Sequence, residues 1–296
     1  AAVLTQWIYQ HFGNTYKEGT VIAIDEINNN VIDKDHENLA TSQIPKVINP
    51  VLIIINFITT FFTHVFGASG GKEGAGVQIG LSTSTLFYKA ECLLYKPKAN
   101  FSYYLMCGAA SAFASLFNAP IAGVFFGTQF AAPNTSRLDA YLSCISASFC
   151  SVFISRALNI HTLSFNTVTT LPISIGNFFL IIAFASIIGL LSIAITSFMN
   201  FTKSKFNKLS KNPYLKVLYP SLILMVLNLV LLLTFKSSLY QGLGSQLFKN
   251  VMLNNGDYYS FFIKLILIIL TYAACFTGGE VVPLLLLGSL FGSAFA

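Results

Sequence analysis

A glycine-rich stretch, Gly67–Gly80, contains the residues of this sequence whose types and spacing suggest chemistry. Lys72 and Glu73 lie between glycines there, with a mostly apolar run on either side. Glycine lets the backbone turn tightly and expose its N–H groups. A helix that starts near Glu73 would direct its free N–H groups and the positive end of its dipole at the loop. The stretch therefore predicts an anion site beside an ionisable carboxylate, and the alternative is an ordinary loop between two membrane helices.

Glu73 is a candidate for function because a carboxylate at membrane depth is costly. Burial disfavours its charged form, whereas Lys72 and the helix N-terminus favour it. These opposed effects would let Glu73 take up and release a proton. Its charged form could also occupy the anion site and compete with a transported ion. The alternative role for Glu73 is to cap its own helix.

A second stretch, Gly278–Gly288, has the same organisation. Both stretches follow a long apolar run, contain a Gly-Gly pair and a Glu within the next two positions, and continue as an apolar segment with a later Gly. Glu280 is the acid of the second stretch, and for it a function and a capping role are equally open. As inverted repeats, the two stretches would bring helix N-termini together near the bilayer midplane, where backbone N–H groups bind an anion.

Two further interruptions are expected to line the same region. Gly19–Thr20 is a glycine-led turn before a short helix, and Asn118–Pro120 interrupts the apolar segment Phe101–Phe130. Proline removes a hydrogen bond from a helix, so this segment is predicted to form two half-helices. The helix after the first glycine stretch is predicted to have about fifteen residues, too few to cross about 30 Å of hydrocarbon. Such breaks are typical of transporter binding sites.

Composition indicates an integral membrane protein. Of 296 residues, 54% are hydrophobic and 9% are charged, whereas soluble chains carry about 25% charged residues. The net charge of +6 is interpreted as basic loops facing an anionic membrane surface, and the basic loop at Lys203–Lys216 is predicted to be cytoplasmic. A basic stripe with interleaved aromatic residues is missing from the sequence, which excludes a nucleic-acid partner.

Cysteines and histidines give no indication of metal chemistry. The five cysteines lie in or beside apolar segments without a C-x-x-C pair, and the four histidines are scattered. We therefore expect neither a metal site nor a cofactor. The sequence shows no nucleophile–base constellation, so an enzyme is not expected. Gly67–Lys72 looks like a phosphate-binding loop but is one residue short, and Glu73 replaces the Ser or Thr that such a loop requires.

Three motifs resemble signatures of the CLC family of chloride channels and proton-coupled anion antiporters. Gly71–Gly80 (GKEGAGVQIG) is similar to G-[KR]-E-G-P-x-V-Q-[IM]-G, Phe117–Gly123 (FNAPIAG) to F-N-A-P-[LI]-A-G, and Gly278–Pro283 (GGEVVP) to G-G-x-[FV]-x-P. The resemblance implies an all-α polytopic membrane protein, an inverted-repeat bundle with broken and re-entrant helices. Residues 1–296 would form one transmembrane domain, with a first repeat at about 1–158 and a second at about 173–296.

The resemblance also has implications for the whole protein. The chain is expected to be truncated at both ends and to lack the family's first and last helices, including one that carries a tyrosine at the anion site. A homodimer with one pore per subunit, embedded in the lipid bilayer as a multi-pass protein of the cell membrane, is implied.

Within the family, the chain resembles the fluoride-transporting bacterial branch more than the chloride branches. Gly278–Val281 reads G-G-E-V, where chloride members usually have G-G-I-F. Thr63–Gly71 and Ile24–Ile27 are similar to the T-H-L-F-G-G-S-[AG]-G and I-D-E-I of that branch, and Gly19–Ala23 replaces the chloride signature G-S-G-I-P. Val282 departs from the branch, which usually has Thr there, and the lost hydroxyl would weaken anion coordination or change selectivity.

The leading hypothesis is a transporter that exports fluoride in exchange for protons, with Glu73 as its gate. Charged Glu73 would fill the anion site, and protonated Glu73 would leave it and carry the proton. Gly127–Phe130 lacks the second, internal glutamate of chloride antiporters, which argues against ordinary chloride/proton exchange. The alternatives are a chloride channel or chloride/proton antiporter of the same fold, and a membrane protein with a purely structural or partner-binding role.

The residues expected to act are mostly backbone groups at helix starts. The expected anion-binding residues are Gly19, Thr20, Val21, Gly74, Ala75, Val281 and Val282. The expected supporting residues are Lys72, Asn118, Pro120 and Glu280.

Overall fold

The protein is an assembly of α-helices in the part of the chain that its structure, a computed structural model, describes. That part comprises residues 2–12, 19–32, 50–95, 101–131, 138–160, 174–252 and 257–293. The helices of these ranges are α1 (Ala2–Phe12), α2 (Gly19–Ile32), α3 (Val51–Val65), α4 (Glu73–Leu94), α5 (Phe101–Phe117), α6 (Pro120–Gln129), α7 (Leu138–Ala157), α8 (Ile175–Leu209), α9 (Pro213–Phe235), α10 (Ser245–Met252), α11 (Tyr258–Ala273) and α12 (Val281–Ser293). The predicted all-α class is confirmed.

Helix lengths fit a membrane protein with interrupted spans. Three of the described helices have segments long and apolar enough to cross a membrane: Ala140–Ala157, Ile175–Leu209 and Pro213–Phe235. Four more apolar helices, α3, α5, α11 and α12, have only 13 to 17 residues, or about 20–26 Å at 1.5 Å per residue. They are shorter than the roughly 30 Å of a bilayer's hydrocarbon core, as the breaks in the sequence predicted.

Two expectations about helix length were wrong. Helix α4 has 22 residues, about 33 Å, rather than the predicted fifteen or so. The predicted basic loop Lys203–Lys216 is mostly helical, since α8 continues to Leu209 and α9 begins at Pro213. In both places the helix continues into polar sequence, because Lys and Glu are good helix formers and a helix need not end where its apolar run ends.

The predicted break in the middle of Phe101–Phe130 is confirmed. Helix α5 ends at Phe117, and α6 begins at Pro120. Asn118 adopts a left-handed conformation with φ of 53°, which a short polar side chain tolerates better than most. Pro120 is the first residue of α6, where its missing N–H removes no helical hydrogen bond.

The chain divides into two compact units. The first unit comprises Ala1–Trp7, Phe61–Gly71 and Ser164–Ala296, and the second comprises Ile8–Thr60 and Lys72–Leu163. The division into inverted repeats at about 1–158 and 173–296 stays a prediction.

The first unit has an aliphatic core built mainly from α8, α9, α11 and α12. Among its most buried members are five residues of the last two helices: Leu267, Ile268, Leu286, Leu287 and Leu290. Leu286 and Leu290 are four residues apart, so α12 directs an apolar stripe into this core.

The second unit is held by close contacts between small residues of α4, α5, α6 and α7. A Cβ on Gly80 of α4 would lie 2.4 Å from the carbonyl oxygen of Gly108 of α5. Only glycine therefore allows these two helix backbones to approach so closely. Small residues at helix contacts are characteristic of helix association in membranes.

Candidate functional site

The two glycine stretches meet inside the first unit. The Gly71 N–H donates to the Gly279 carbonyl over 2.8 Å, and the Gly279 N–H donates to the Gly71 carbonyl over 2.6 Å. This reciprocal pair is an isolated antiparallel bridge. The internal similarity of the sequence predicted that these stretches would come together, although they are separated by about two hundred residues in the chain.

The contact leaves little room for a side chain at Gly278. A Cβ on Gly278 would lie 3.0 Å from the Cα of Gly70 and 3.1 Å from the carbonyl oxygen of Gly71. The neighbouring backbone would have to move to make room for it. We call the two segments Ser69–Gly71 and Thr277–Gly279 the paired turns.

Side chains near the paired turns fix their position. The Thr63 hydroxyl of α3 donates to the Thr277 carbonyl over 2.7 Å. The Ser69 N–H donates to the Thr271 hydroxyl oxygen of α11 over 3.0 Å. Both bonds lie within the first unit, so each turn is attached to a helix as well as to the other turn.

A helix begins directly after each turn, with the same backbone register. The Lys72 carbonyl accepts the first helical bond of α4 from Gly76, and the Glu280 carbonyl accepts that of α12 from Leu284. Lys72 and Glu280 thus occupy equivalent positions. Glu73 is the first residue of α4, so its equivalent in α12 is Val281. The glutamates of the two glycine stretches are offset by one position.

The helix starts supply backbone N–H groups where the sequence predicted them. Geometry leaves the first N–H groups of an α-helix without a partner inside that helix. In α4 these include the groups of Gly74 and Ala75. In α12 they are those of Val281 and Val282, because Pro283 has no N–H. Such groups, together with the helix dipole, favour an anion.

The two glutamates have different surroundings. Glu73 is buried, with 4% of its surface exposed, and Lys72 is exposed. Lys72 is the N-cap residue of α4, so Glu73 does not occupy the capping position that was its alternative role. Glu280 is exposed.

The remaining predicted site residues lie in the second unit, as Lys72–Ala75 do. Gly19 is the first residue of α2, and the Thr20 hydroxyl accepts a 3.2 Å hydrogen bond from the side-chain amide of Gln78 on α4. Val21 belongs to the same helix, and its side chain lies outside the described part. The structure therefore joins the start of α2 to α4 by a side-chain contact.

The break between α5 and α6 is close to the start of α4. A Cβ on Gly76 would lie 2.6 Å from a methyl carbon of Leu116, two residues before Asn118. The Asn118 side-chain oxygen accepts a 2.8 Å hydrogen bond from Arg156 at the end of α7. Asn118 and Pro120 thus shape the backbone near α4, and their part in a site stays a prediction.

Lys264 is a residue that the sequence reasoning missed. It is the only charged residue of α11 and is fully buried. Its Nζ contacts Ser69 of a paired turn. The available signal was a polar stripe: Ser260, Lys264 and Thr271 recur at helical spacing in an otherwise apolar segment.

A polar cavity lies beside the same turn. Its volume is about 380 Å³, and its lining residues are His64, Val65, Phe66, Gly67, Asn228, Ser238, Gln241 and Gly242. All of them belong to the first unit. The backbone of Gly67 and Gly242, which are joined by a 3.0 Å hydrogen bond, forms part of its wall.

The fold and the paired turns define a class of protein: an all-helical membrane protein in which two helices begin just after paired glycine turns. The family comparison is more specific, because residues 1–296 match the model of the voltage gated chloride channel family. The chain therefore belongs to this family, as its motifs predicted.

Similar proteins are known from sequence and from structure. A chloride/fluoride channel protein of Pseudomonas syringae pv. tomato (strain ATCC BAA-871 / DC3000) is 25% identical over 276 residues, which is 92% of this chain and 59% of that protein. The crystal structure of a CLC-type fluoride/proton antiporter has a TM-score of 0.82 at 24% identity, covering 98% of this chain and 68% of that one. The crystal structure of a slow cyanobacterial Cl⁻/H⁺ antiporter has a TM-score of 0.73 at 17% identity. That match covers 99% of this chain and 65% of that one.

These comparisons confirm the predicted CLC-type fold. The chain spans less than two thirds of the length of the curated relative that it matches.

Proposed function

We propose that this protein transports an anion across a membrane. The observation that carries the proposal is the reciprocal hydrogen-bonded pair of Gly71 and Gly279, with a helix beginning two residues after each. The free N–H groups at a helix start attract an anion without a fixed cation, which supports the proposal. Broken helices at such positions are a recurrent feature of transporter binding sites.

In this mechanism, backbone groups bind the anion and Glu73 controls access to it. The N–H groups of Gly74, Ala75, Val281 and Val282 are the proposed ligands. Thr20 is a further candidate, and its hydroxyl is oriented by Gln78. Charged Glu73 competes with the anion for the same N–H groups, and protonation releases it. Because Glu73 either occupies the anion site or carries a proton, it couples the anion flux to the proton flux.

The proposed anion is fluoride, exchanged for protons. Support comes from a relative whose name includes fluoride, from the fold of a fluoride/proton antiporter, and from the G-G-E-V of Gly278–Val281. The second candidate is chloride, which the family's description and the Cl⁻/H⁺ antiporter favour. Val282, where a Thr hydroxyl is usual in the fluoride branch, is the specific residue that favours this second candidate.

We also propose a homodimer in the cell membrane. The face of α6 and α7 exposes large apolar side chains, including Ile121, Phe125, Leu142, Phe149 and Phe153. An apolar area of this kind needs lipid or a second subunit to cover it.

The sequence analysis also predicted that the protein needs no cofactor and is not an enzyme, and both statements remain predictions.

Efflux from liposomes tests the transport proposal. Vesicles that contain the purified protein are loaded with fluoride or with chloride, and anion and proton movement are recorded after an ion gradient is applied. We expect fluoride efflux to exceed chloride efflux and to be accompanied by proton uptake. Faster chloride efflux would select the second candidate, and vesicles that release neither anion would contradict transport.

The gate is tested by Glu73→Gln, which keeps the shape of the side chain and removes its proton exchange. We expect proton-coupled fluoride flux to fall by at least about 100-fold, the range typical for loss of a positioned proton-transfer group. Asp257→Asn is the matched control, since Asp257 is an exposed acid that precedes α11. Intact proton-driven fluoride flux in the Glu73→Gln protein would exclude the proposed gate.

A further inference from the structure

Lys264 is held by three neutral oxygens in the interior of the first unit. Its Nζ donates to the Ser69 hydroxyl over 2.9 Å, to the Tyr240 carbonyl over 3.1 Å and to the Gly242 carbonyl over 2.5 Å. An ammonium group has three N–H donors, so these acceptors match it in number. Each of its N–H donors can therefore be satisfied within the protein.

The bond to Ser69 connects Lys264 to the paired turns. Ser69 directly precedes the two glycines of the first turn, and its own N–H is bonded to Thr271. Thr271 follows Lys264 by seven residues on α11, about two helical turns, so both side chains lie on one face of the helix. Helix α11 thus holds both the side chain and the backbone of Ser69.

The two carbonyl bonds connect Lys264 to a third segment, Tyr240–Gly242. The Gly242 N–H donates to the Gly67 carbonyl over 3.0 Å, so this segment also supports the residues before the turn. The Tyr240 hydroxyl shares a 3.0 Å hydrogen bond with Ser260 of α11. Lys264 contacts both the segment and the turn, with its ammonium between them.

Burying an ammonium group is unfavourable compared with burying an apolar side chain of the same size. Its desolvation costs several kcal/mol, and a methionine of similar length would occupy the same volume without that cost. A charged residue at membrane depth is therefore a candidate for function. The surrounding space is also restricted, since a Cβ on Gly244 would lie 3.2 Å from the Lys264 Cε.

We propose that Lys264 is a positioning residue for anion binding: its ammonium holds Ser69, and through Ser69 the turn that pairs with Gly279. Gly279 lies two residues before α12, so a displacement of the turn moves the N–H groups of Val281 and Val282. The consequence for transport rests on the proposed function. The positioning itself concerns only contacts within the first unit.

The test compares Lys264→Met with Ser69→Ala in the reconstituted protein. Loss of a hydrogen bond from a charged group in a buried site corresponds to about a tenfold effect or more. We expect each variant to raise the KM for fluoride by at least about that factor, with a smaller change in maximal flux. Since both substitutions break the same link, the double variant should be no worse than Lys264→Met alone.

Amide hydrogen exchange measures the position of the turn without any transport. We expect the amides of Ser69, Gly71 and Gly279 to exchange about tenfold faster in both variants, because their bonds open more often. Ser221→Ala is the matched control, since its hydroxyl bonds only to a carbonyl of its own helix α9. Exchange and KM should both be unchanged in this control.

Ser69→Ala keeps the test decisive even when Lys264→Met does not fold, because it leaves Lys264 two of its three acceptors. Unchanged exchange and unchanged KM in Ser69→Ala would overturn the proposal. So would effects of the two substitutions that add in full, since Lys264 would then act independently of Ser69. Faster exchange in a protein that transports neither anion would support the positioning role and contradict the proposed function.

Discussion

The starts of α4 and α12 share a backbone arrangement and differ in the side chain that it presents. Each helix begins two residues after a glycine of the pair Gly71–Gly279. Its first helical hydrogen bond is accepted by the carbonyl of the residue after that glycine, Lys72 for α4 and Glu280 for α12. In α4 the acid is the first helical residue, Glu73, and is buried. In α12 the acid, Glu280, is one position earlier and is exposed.

A shift of one position explains why similar sequences give different environments. Successive residues of a helix differ by about 100° around its axis, so Glu73 and Glu280 cannot direct their carboxylates the same way. Equivalent turns supply equivalent N–H groups, and the register of the side chains decides which start carries a buried acid. In the proposed function, both starts would therefore bind the anion and only the start of α4 would couple it to protons.

The largest expected effect separates the two acids. Glu280→Gln should leave proton coupling in place and change fluoride flux by less than about tenfold, whereas Glu73→Gln should lower coupled flux by at least about 100-fold. The reason is that Glu280 is exposed, so its charge is stabilised by solvent whether or not an anion is bound. Parallel records of proton and fluoride movement in liposomes give the answer. Loss of coupling in both variants would show that the starts are functionally equivalent.

An intermediate effect separates the glycines nine positions after each pair, Gly80 and Gly288. A Cβ at Gly80 would meet the Gly108 carbonyl oxygen at 2.4 Å, whereas a Cβ at Gly288 has no neighbour within 4 Å. Gly80→Ala should lower the free energy of unfolding by about 1–3 kcal/mol through overpacking. Gly288→Ala should raise it by about 0.5–1 kcal/mol, because alanine favours a helix. Denaturation in mixed micelles measures the free energy of unfolding of both variants. If Gly80→Ala and Gly288→Ala destabilise the protein equally, the predicted difference in packing between α4 and α12 is wrong.

A smaller effect is expected where the paired turns touch each other. Gly278→Ala brings a Cβ to 3.0 Å from the Gly70 Cα, so the paired turns must separate slightly, at a cost of about 1 kcal/mol. Amide exchange at Gly71 and Gly279 should accelerate together, because each donates to the other. Gly292→Ala is the control, since a Cβ there is 4.0 Å from its nearest neighbour. Faster exchange at one turn alone would contradict reciprocal pairing.

Much of the fold was predictable because it depends on local patterns. Apolar runs predicted the membrane helices, and Pro120 predicted the break between α5 and α6. The glycine stretches predicted two turns followed by helix starts, and their similarity predicted that the turns meet. The helical ends of α4 and α8 were not predicted, because apolar content marks the part of a helix in hydrocarbon and not the point where its hydrogen bonds stop.

The amino-acid sequence by itself determined the membrane class, the family, the turns and the identity of the acids near them. Only the tertiary structure decided that Glu73 is buried while Glu280 is exposed, and that Lys264 bonds to Ser69. The physical reason is distance along the chain. The burial of a side chain and the partner of an ammonium depend on segments that folding brings together, and Lys264 and Ser69 are 195 residues apart.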